Sequence, residues 1–272
     1  MSLEVTILGC GSSGGVPRAD GNWGACDPAD PRNRRSRCSL LVRRVGAQGE
    51  PWTTVVVDTA PDFRLQAAAA GIERVDGVIY THDHADQTHG IDDLRVFAGR
   101  MARRAPCFMS AEDHATLTHR FAYIFNGAMD YPAICDAVVM PAHGTPWSID
   151  GPSGELPIIT FPQVHGPIMS AGVRFGDVAY SSDVSQLTAE AMDALRDLDL
   201  WIVDALRWKP HPTHSNVQQA LDWIAEVKPR RAVLTNMHVD LDYAELARQL
   251  PAGVEPAFDG WRDVFPLAVG SD

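Results

Sequence analysis

The sequence predicts a mixed α/β sandwich rather than a uniformly alternating, doubly wound sheet. β-Branched runs separated by turn residues come first, in "LEVTILG", "CSLLVRR" and "WTTVVVDT", and these predict adjacent strands. Strands and helices alternate later in the chain, which favours the mixed class. No linker divides the sequence, so residues 1–272 are expected to form one domain.

Helices are predicted where helical spacing coincides with end signals. Residues 61–71, "PDFRLQAAAAG", have proline at the start and glycine at the end. "GIDDLRVFAGRMARR" has apolar residues at helical spacing, and "SAEDHATLTHRFAYIF" begins at Ser110, a predicted N-cap. Residues 131–160 are expected to hold short strands and loops. Beyond them we predict strands "AGVRFG", "DVAYSSD", "LDLWIVDA" and "RAVLTN", and helices "TAEAMDALRD", "SNVQQALDWIAEV" and "DYAELARQL".

Composition limits the partners of the chain. The formal net charge is -12 and 45% of the residues are hydrophobic, so the chain can bury a core and would repel nucleic acid and anionic membranes overall. The basic stretch "PRNRRSR", residues 31–37, is an exception. It is typical either of a solvated, salt-bridged surface turn or of a segment that holds an anion.

The cysteines and the N-terminal segment indicate a cytoplasmic protein. The five cysteines are odd in number and scattered, which favours free thiols in a reducing compartment over a disulfide framework. "MSLEVTILGCG" lacks the features of a signal peptide, and no apolar run is long enough for a transmembrane helix.

A dense group of histidines and aspartates follows the apolar run "GVIY". In residues 80–90, "YTHDHADQTHG", His82, His84 and Asp86 are two apart, so in an extended segment they would point the same way and could converge on one cation. Imidazole and carboxylate suit Zn, Mn or Fe. The alternative, three polar residues on a surface loop, is disfavoured because the preceding strand is apolar enough to be buried.

Later strands also end in residues of this kind. Loops at strand ends are where α/β proteins place their chemistry. Any one such residue is more often a hydrogen-bonded structural group, but several in one chain strengthen the prediction of a site. The residues concerned are His165, Asp183, Asp204, Asn236 and His238.

The ordered motifs "ILGCGSSGGVP", "VVVDTAPDF", "THDHADQTHG", "VHG", "YSSDVS", "PTHSNVQQAL", "LTNMH" and "FDGWRD" resemble those of metallo-β-lactamase-fold hydrolases. Within that superfamily the chain is most similar to the phosphoribosyl cyclic phosphate phosphodiesterase branch. The resemblance covers nearly the whole chain. It implies a four-layer αββα sandwich with the site at one edge of the two sheets.

The resemblance also implies roles for individual residues. His82, His84 and His165 would hold a first metal, Asp183 would bridge to a second, and Asp86 would serve the second metal and catalysis. Asp58 would either support the metal-binding loop or cap a turn. His214 would act on the substrate phosphate or its leaving group, as a general acid, and is favoured over His211.

Two departures from the family pattern fall on the second metal. Gln87 and Asn236 stand where relatives have histidines, and histidines occur two positions later, at His89 and His238. His238 is the more plausible substitute ligand, whereas His89 suits a supporting or substrate-binding role. An oxygen-rich second site would favour Mn²⁺ or Mg²⁺ over Zn²⁺, or bind weakly. We therefore expect one or two divalent ions, with a tight first site and a looser second.

These observations predict a metal-dependent phosphodiesterase that acts on a small cyclic or nucleotide-like phosphodiester. Hydrolysis of a thioester or lactone is one alternative, and a nucleotide-binding protein with a degraded second metal site is another. RNA processing is disfavoured because no basic inserted arm is visible. The glycine-rich "GCGSSGG" predicts either backbone N–H groups for a phosphate or a tight turn. Cys26 alone stands where the cyclic phosphodiesterase carries a cysteine cluster, which argues against a structural zinc. A homodimer is left open.

Overall fold

The computed structural model describes residues 1–47 and 49–267, which form two β-sheets with helices around them. The strands are β1 (Ser2–Gly9), β2 (Ser39–Val45), β3 (Thr53–Val57), β4 (Gly77–Ile79), β5 (Ala105–Met109), β6 (Cys135–Val139), β7 (Trp147–Ile149), β8 (Leu156–His165), β9 (Ile168–Phe175), β10 (Val178–Ser181), β11 (Gln186–Leu187), β12 (Leu200–Asp204), β13 (Arg231–Thr235), β14 (Val254–Pro256) and β15 (Arg262–Pro266). The α-helices are α1 (Phe63–Ala69), α2 (Ala85–Thr88), α3 (Leu94–Met101), α4 (Ala111–Arg120), α5 (Ala122–Asn126), α6 (Ala189–Ala194), α7 (Val217–Val227) and α8 (Tyr243–Gln249).

Each sheet combines antiparallel and parallel strands. The first has the order β15-β1-β2-β3-β4-β5-β6, antiparallel from β15 to β3 and parallel from β3 to β6. The second has the order β11-β8-β9-β10-β12-β13-β14, in which β10 to β14 are parallel. Parallel strands bring their carboxyl ends to one edge of a sheet, so each sheet gathers its strand-end residues on one side.

The first sheet is buried on both faces. Leu40 and Val42 of β2 belong to the core between the sheets. Leu41, the residue between Leu40 and Val42, belongs to a second core on the other face. That second core also contains Phe63 of α1 and Leu117 of α4. The alternation of side chains along a strand explains why neighbouring residues enter different cores. One helical layer therefore covers the outer face of the first sheet.

Helices of the second half pack with the second sheet. Ala191 of α6, Val217 of α7 and Leu246 of α8 are buried with Trp201 of β12, in one cluster that is continuous with the core between the sheets. The predicted four-layer αββα sandwich is confirmed.

Residues typical of helix ends predicted where several helices begin. Ser110 caps α4 as predicted, and its hydroxyl accepts a hydrogen bond from the Asp113 N–H at 3.0 Å. The single helix expected from that cap is wrong, because the backbone leaves helical geometry at Phe121 and separates α4 from α5. Strands β5 and β15 were not predicted. Both need partners far away in sequence, β15 pairing with β1 at the other end of the chain.

All five cysteines are buried free thiols, as predicted. Among the described helices, none has the length and apolar character required to cross a bilayer.

The basic stretch at residues 31–37 divides into exposed and buried arginines. Arg32 pairs with Asp30 at 2.7 Å and Arg37 with Asp62 at 3.0 Å, as expected of a salt-bridged turn. Arg35 is only 2% exposed. The interpretation of the stretch as a solvated turn is therefore wrong for Arg35, because tertiary contacts bury its guanidinium.

Arg35 connects the segment between β1 and β2 to the segment after β13, without an ion pair to a carboxylate in the described chain. Its guanidinium donates to the carbonyl oxygen of Leu241 at 2.7 Å and to that of His238 at 3.4 Å. It also donates to Oδ1 of Asn33 at 3.2 Å and contacts Sγ of Cys26 at 3.9 Å. The planar fork of N–H groups suits several carbonyl acceptors at once, so Arg35 fixes the segment that follows β13.

We predict that Arg35→Ala lowers the free energy of unfolding by about 3 kcal/mol, because the variant loses the hydrogen bonds that the buried guanidinium donates to Leu241, His238 and Asn33, and hydrogen bonds to charged groups contribute about 1.5–3 kcal/mol each. Urea denaturation of the purified variant measures this. Arg196→Ala is the control, since Arg196 pairs with Asp193 on the exposed surface and such pairs contribute about 0.5 kcal/mol. Equal stability of the two variants would contradict the role of Arg35.

Candidate metal centre

The predicted site residues gather where strands of both sheets end. Left-handed backbone conformations mark three of these ends, at Asp58 (φ 62), Asp183 (φ 50) and Asn236 (φ 59). Such conformations are uncommon outside glycine, and aspartate and asparagine tolerate them best. They turn the chain sharply after β3, β10 and β13 and direct these side chains to the shared edge.

Three histidines form the centre of the site. The rings of His82, His84 and His165 lie with centroids 4.5, 5.0 and 5.1 Å apart. Each offers one ring nitrogen, and these nitrogens all lie within 4.8 Å of one another. Nε2 of His165 is 3.4 Å from Nδ1 of His84. Three imidazole nitrogens at this spacing can hold one divalent cation.

His82 provides the clearest sign that the site suits a metal. Its Nε2 is buried and has no hydrogen-bond partner in the described chain, although a buried polar nitrogen without a partner is costly. Burial lowers the pKa of His82 to about 3. The neutral imidazole that results is the form that binds metals. These residues therefore fit a divalent cation.

The other nitrogen of His82 is oriented through a relay from Asp58. Nδ1 of His82 lies 3.0 Å from the hydroxyl of Thr81, and that hydroxyl donates to Oδ2 of Asp58 at 2.8 Å. The Thr81 N–H donates to the other oxygen of Asp58, also at 2.8 Å. Asp58 thus supports the loop that carries His82 and does not itself reach the three rings. Its contacts fit the supporting role better than that of a turn cap.

His165 is oriented by the backbone. Its Nδ1 lies 2.7 Å from the carbonyl oxygen of Thr213 and so donates to it. Nε2 is then the nitrogen available to a metal. Burial lowers the pKa of His165 as well.

Asp183 lies beside the histidines and receives hydrogen bonds from two amides. Nε2 of Gln87 donates to Oδ2 of Asp183 at 2.6 Å, and Nδ2 of Asn236 donates to Oδ1 at 2.8 Å. The hydroxyl of Ser182 donates to Oδ2 at 3.0 Å. The two residues that depart from the family pattern therefore contact the carboxylate that was expected to bridge two metals.

His214 adjoins this group on the side of the second sheet. Nδ1 of its ring is 2.9 Å from Oδ2 of Asp204 and 3.3 Å from Oδ1 of Asp183. Burial lowers the pKa of His214, but the carboxylates of Asp204 and Asp183 outweigh burial and raise it above the usual value. His165, Asp183 and His214 form a second group of ligand atoms within 4.8 Å. The ring of His211 lies next to that of His214, with centroids 5.2 Å apart.

Among the acidic residues and histidines considered for the second metal, Asp86, His89 and His238 lie outside both ligand groups of the described chain. Asp86 lies in α2, so the extended conformation expected for residues 82–86 is wrong after His84, where the helix begins. Burial and the charge of Asp183 raise the pKa of Asp86. The ring of His89 packs on Phe121 with centroids 5.4 Å apart.

His238 is the third of these residues. Its Nδ1 lies 3.1 Å from the carboxylate of Asp240, and its Nε2 contacts the guanidinium of Arg18. His238 therefore lines the approach to the site.

That approach is a cavity of about 670 Å³ in front of His214. The glycine-rich loop after β1 forms one wall, and the segment after β12 forms the other. Its polar lining residues include Ser12, Ser13, Arg18, Arg207, His211 and His238. The start of the loop is closely packed, since a Cβ on Gly9 would lie 2.1 Å from the carbonyl oxygen of Arg37. The glycine-rich segment after β1 therefore both makes the predicted tight turn and forms one wall of the cavity.

Sequence reasoning missed Arg18, Arg207 and Thr81. It named Asp204 as a strand-end candidate but gave it no role. Asp204 had a signal, because it ends the apolar strand "LWIVD". Arg18 and Arg207 had none, since only the fold brings their loops to the same cavity.

Comparisons with known proteins agree with this geometry. Residues 53–237 match the family described as beta-lactamase superfamily domain. A crystal structure of a new diphosphatase from the PhnP family is 34% identical over 99% of both chains, with a TM-score of 0.86. Zn²⁺-bound PqqB from Methylobacterium extorquens has the same fold at 16% identity, covering 95% of this chain and 99% of its own, with a TM-score of 0.71.

A curated octanoyltransferase of Porphyromonas gingivalis (strain ATCC BAA-308 / W83) is 29% identical over 263 residues. The match covers 95% of this chain but only 51% of that protein. The chain therefore spans about half the length of this relative.

We predict that Thr81→Val weakens binding of Zn²⁺ or Mn²⁺ by about 10- to 100-fold, because losing a hydrogen bond that orients a ligand histidine typically costs that much. Isothermal titration calorimetry of the metal-stripped protein measures the affinity. Thr54→Val is the matched control, since its buried hydroxyl bonds only the carbonyl of Trp52. An unchanged affinity in Thr81→Val would contradict the relay from Asp58.

Proposed function

Because the chain belongs to the metallo-β-lactamase superfamily and is a metal-dependent hydrolase of that fold, we propose that it hydrolyses a small phosphodiester, either cyclic or nucleotide-like. The observation that carries this proposal is the pairing of His214 with Asp204 beside the three histidines. An ester with a poor leaving group needs both a cation and a proton donor, and this site has residues for both. The similarity to a PhnP-family diphosphatase supports a phosphate ester and extends the candidates to diphosphates.

The cavity supports an anionic substrate although the whole chain is acidic. Neither Arg18 nor Arg207 forms an ion pair with a carboxylate of the described chain. Arg207 donates instead to the carbonyl oxygens of Lys209 and Pro210, at 3.2 and 2.9 Å. Asp20 also lines the cavity and accepts from a backbone N–H at 3.0 Å. Two uncompensated guanidinium groups beside a metal centre favour a phosphate-bearing ligand.

His82, His84 and His165 would hold the cation, with Asp183 beside them. A bound divalent cation supplies Lewis-acid polarisation of the phosphate and lowers the pKa of water. Asp58, acting through Thr81, keeps the His82 ring turned towards the cation.

His214 acts as the general acid. Its Nδ1–H donates to Asp204, so Nε2 is the nitrogen that faces away from this carboxylate and can give a proton to the substrate. As the water oxygen bonds to phosphorus and the bond from phosphorus to the leaving oxygen breaks, the proton of Nε2 passes to that leaving oxygen. The water gives up one proton to solvent, and Nε2 takes one up from solvent before the next turnover. The nearby carboxylates raise the pKa of His214 and so keep this proton in place at neutral pH. The step typically contributes about 10²–10⁴-fold in rate.

Hydrolysis of a thioester or lactone is the second candidate. The similarity to the octanoyltransferase of Porphyromonas gingivalis favours it, since that name concerns an acyl group. The arginines of the cavity favour the phosphate ester. A protein that binds a nucleotide without hydrolysing it is the remaining alternative.

A substrate panel tests the proposal. Metal-loaded protein is assayed with Zn²⁺ and with Mn²⁺ on a bis-aryl phosphate, a dinucleoside diphosphate, a cyclic ribose phosphate, a lactone and an acyl thioester. We expect turnover of at least one phosphate ester that exceeds turnover of the lactone and thioester. Turnover of the acyl compounds alone would contradict the proposal, and silence on every phosphate ester with metal bound would favour a binding protein.

We predict that His214→Ala loses about 10²–10⁴-fold in kcat on a substrate with an alkyl leaving group, because no acid then protonates the leaving oxygen. The loss should be smaller with a nitrophenyl leaving group, which departs without a proton. His211→Ala is the matched control from the same loop. Equal losses on both leaving groups would remove His214 from the role of general acid.

We predict that Arg18→Ala and Arg207→Ala each raise KM by about tenfold for a substrate with two phosphates, since a hydrogen bond to a charged group contributes about 1.5–3 kcal/mol. KM for a singly charged bis-aryl phosphate should rise less. Steady-state kinetics at low salt measures both values, with Arg196→Ala as a control on the remote surface. A rise that is equal for both substrates would contradict a phosphate-binding role.

A further inference from the structure

The carboxylate of Asp183 is satisfied by the protein itself. A carboxylate offers about four acceptor positions. Oδ2 receives Gln87 at 2.6 Å and Ser182 at 3.0 Å. Oδ1 receives Asn236 at 2.8 Å and has the ring of His214 at 3.3 Å. Each oxygen therefore has two polar neighbours on the chain, and Asp183 does not require a cation of its own.

The second group of ligand atoms is not independent of the first. His165 belongs to both groups, but its Nδ1 donates to the carbonyl oxygen of Thr213. Its single remaining nitrogen, Nε2, lies 3.4 Å from Nδ1 of His84 in the group of three histidines. One nitrogen ligates one ion. With His165 used by the first ion, the second group retains only Asp183 and His214, and Asp86 lies outside that group in the described chain. Two ligands are too few to hold another ion tightly.

We propose that the protein binds one divalent cation per chain, on His82, His84 and His165, and that the amides of Gln87 and Asn236 take the place of a second cation. This goes beyond the proposed function, since it concerns the number of ions and not the ester that is hydrolysed. It also replaces the expectation of a loose second ion with a definite stoichiometry.

The competing arrangement uses amide oxygens as ligands. Oε1 of Gln87 is buried without a partner in the described chain, so rotating the amide could present an oxygen to a cation near Asp183. Two oxygen acceptors 2.6 Å apart repel each other unless a cation lies between them. With the amide nitrogens facing Asp183, no cation is needed, and both amides adopt this orientation.

Metal counting tests the proposal. Protein stripped with a chelator is reloaded with excess Zn²⁺ or Mn²⁺, desalted and analysed for metal by mass spectrometry and for protein by absorbance. We expect one equivalent per chain in the wild type with either metal, and none in His82→Ala. We expect two equivalents in the double variant Gln87→His with Asn236→His, because both amides are then imidazoles. The control, Gln218→His with Gln249→His, places two imidazoles at exposed positions and should keep one equivalent.

Three results would overturn the proposal. They are two equivalents in the wild type, one equivalent retained by His82→Ala, and one equivalent in the double variant when circular dichroism shows it folded. If the double variant does not fold, the metal equivalents of the wild type and of His82→Ala still test the proposal. The counts do not depend on turnover. One equivalent without turnover of any phosphate ester would defeat the proposed function and leave this inference intact.

Discussion

A carboxylate buried at the edge of two sheets is the constraint from which the site is built. Asp183 is 2% exposed, and a buried charge must be met by hydrogen bonds or by opposite charge. Its amide donors come from both halves of the sandwich, Gln87 from the helix after β4 and Asn236 from the turn after β13. The same carboxylate therefore joins the two layers and sets the position of the neighbouring imidazoles.

Three imidazoles of the site are each oriented by a partner on the far side of the ring. His82 relies on Thr81, His165 on a backbone carbonyl oxygen, and His214 on Asp204. These partners determine which nitrogen is free, and so they separate the rings by role. Burial keeps His82 neutral and suited to a cation, whereas carboxylates favour the proton on His214. The surroundings of each ring therefore favour the neutral form of His82 and the protonated form of His214, although the two side chains are the same.

The loops around the site are ordered by hydrogen bonds that a buried guanidinium donates. Arg35 lies at Cys26, the one cysteine in the segment where the cyclic phosphodiesterase that the chain resembles carries a cysteine cluster. Its N–H groups bind the carbonyl oxygens of the segment that follows Asn236. A cation on a side chain here connects the loops.

The sequence by itself predicted the mixed α/β class and the histidines and aspartates at strand ends, because hydrophobic periodicity and strand-end residue types are local properties. The four-layer fold and the assignment of His82, His84 and His165 to one metal were implied by the family resemblance. It also pointed to Gln87 and Asn236 as the places where this chain departs from its relatives. Only the tertiary structure decided what those amides do, since their partner, Asp183, is 96 and 53 residues away from them. The helix after His84, the burial of Arg35 and the place of His238 beside Arg18 were likewise decided by packing. Contacts between distant segments are set by how two sheets meet, and no local pattern records them.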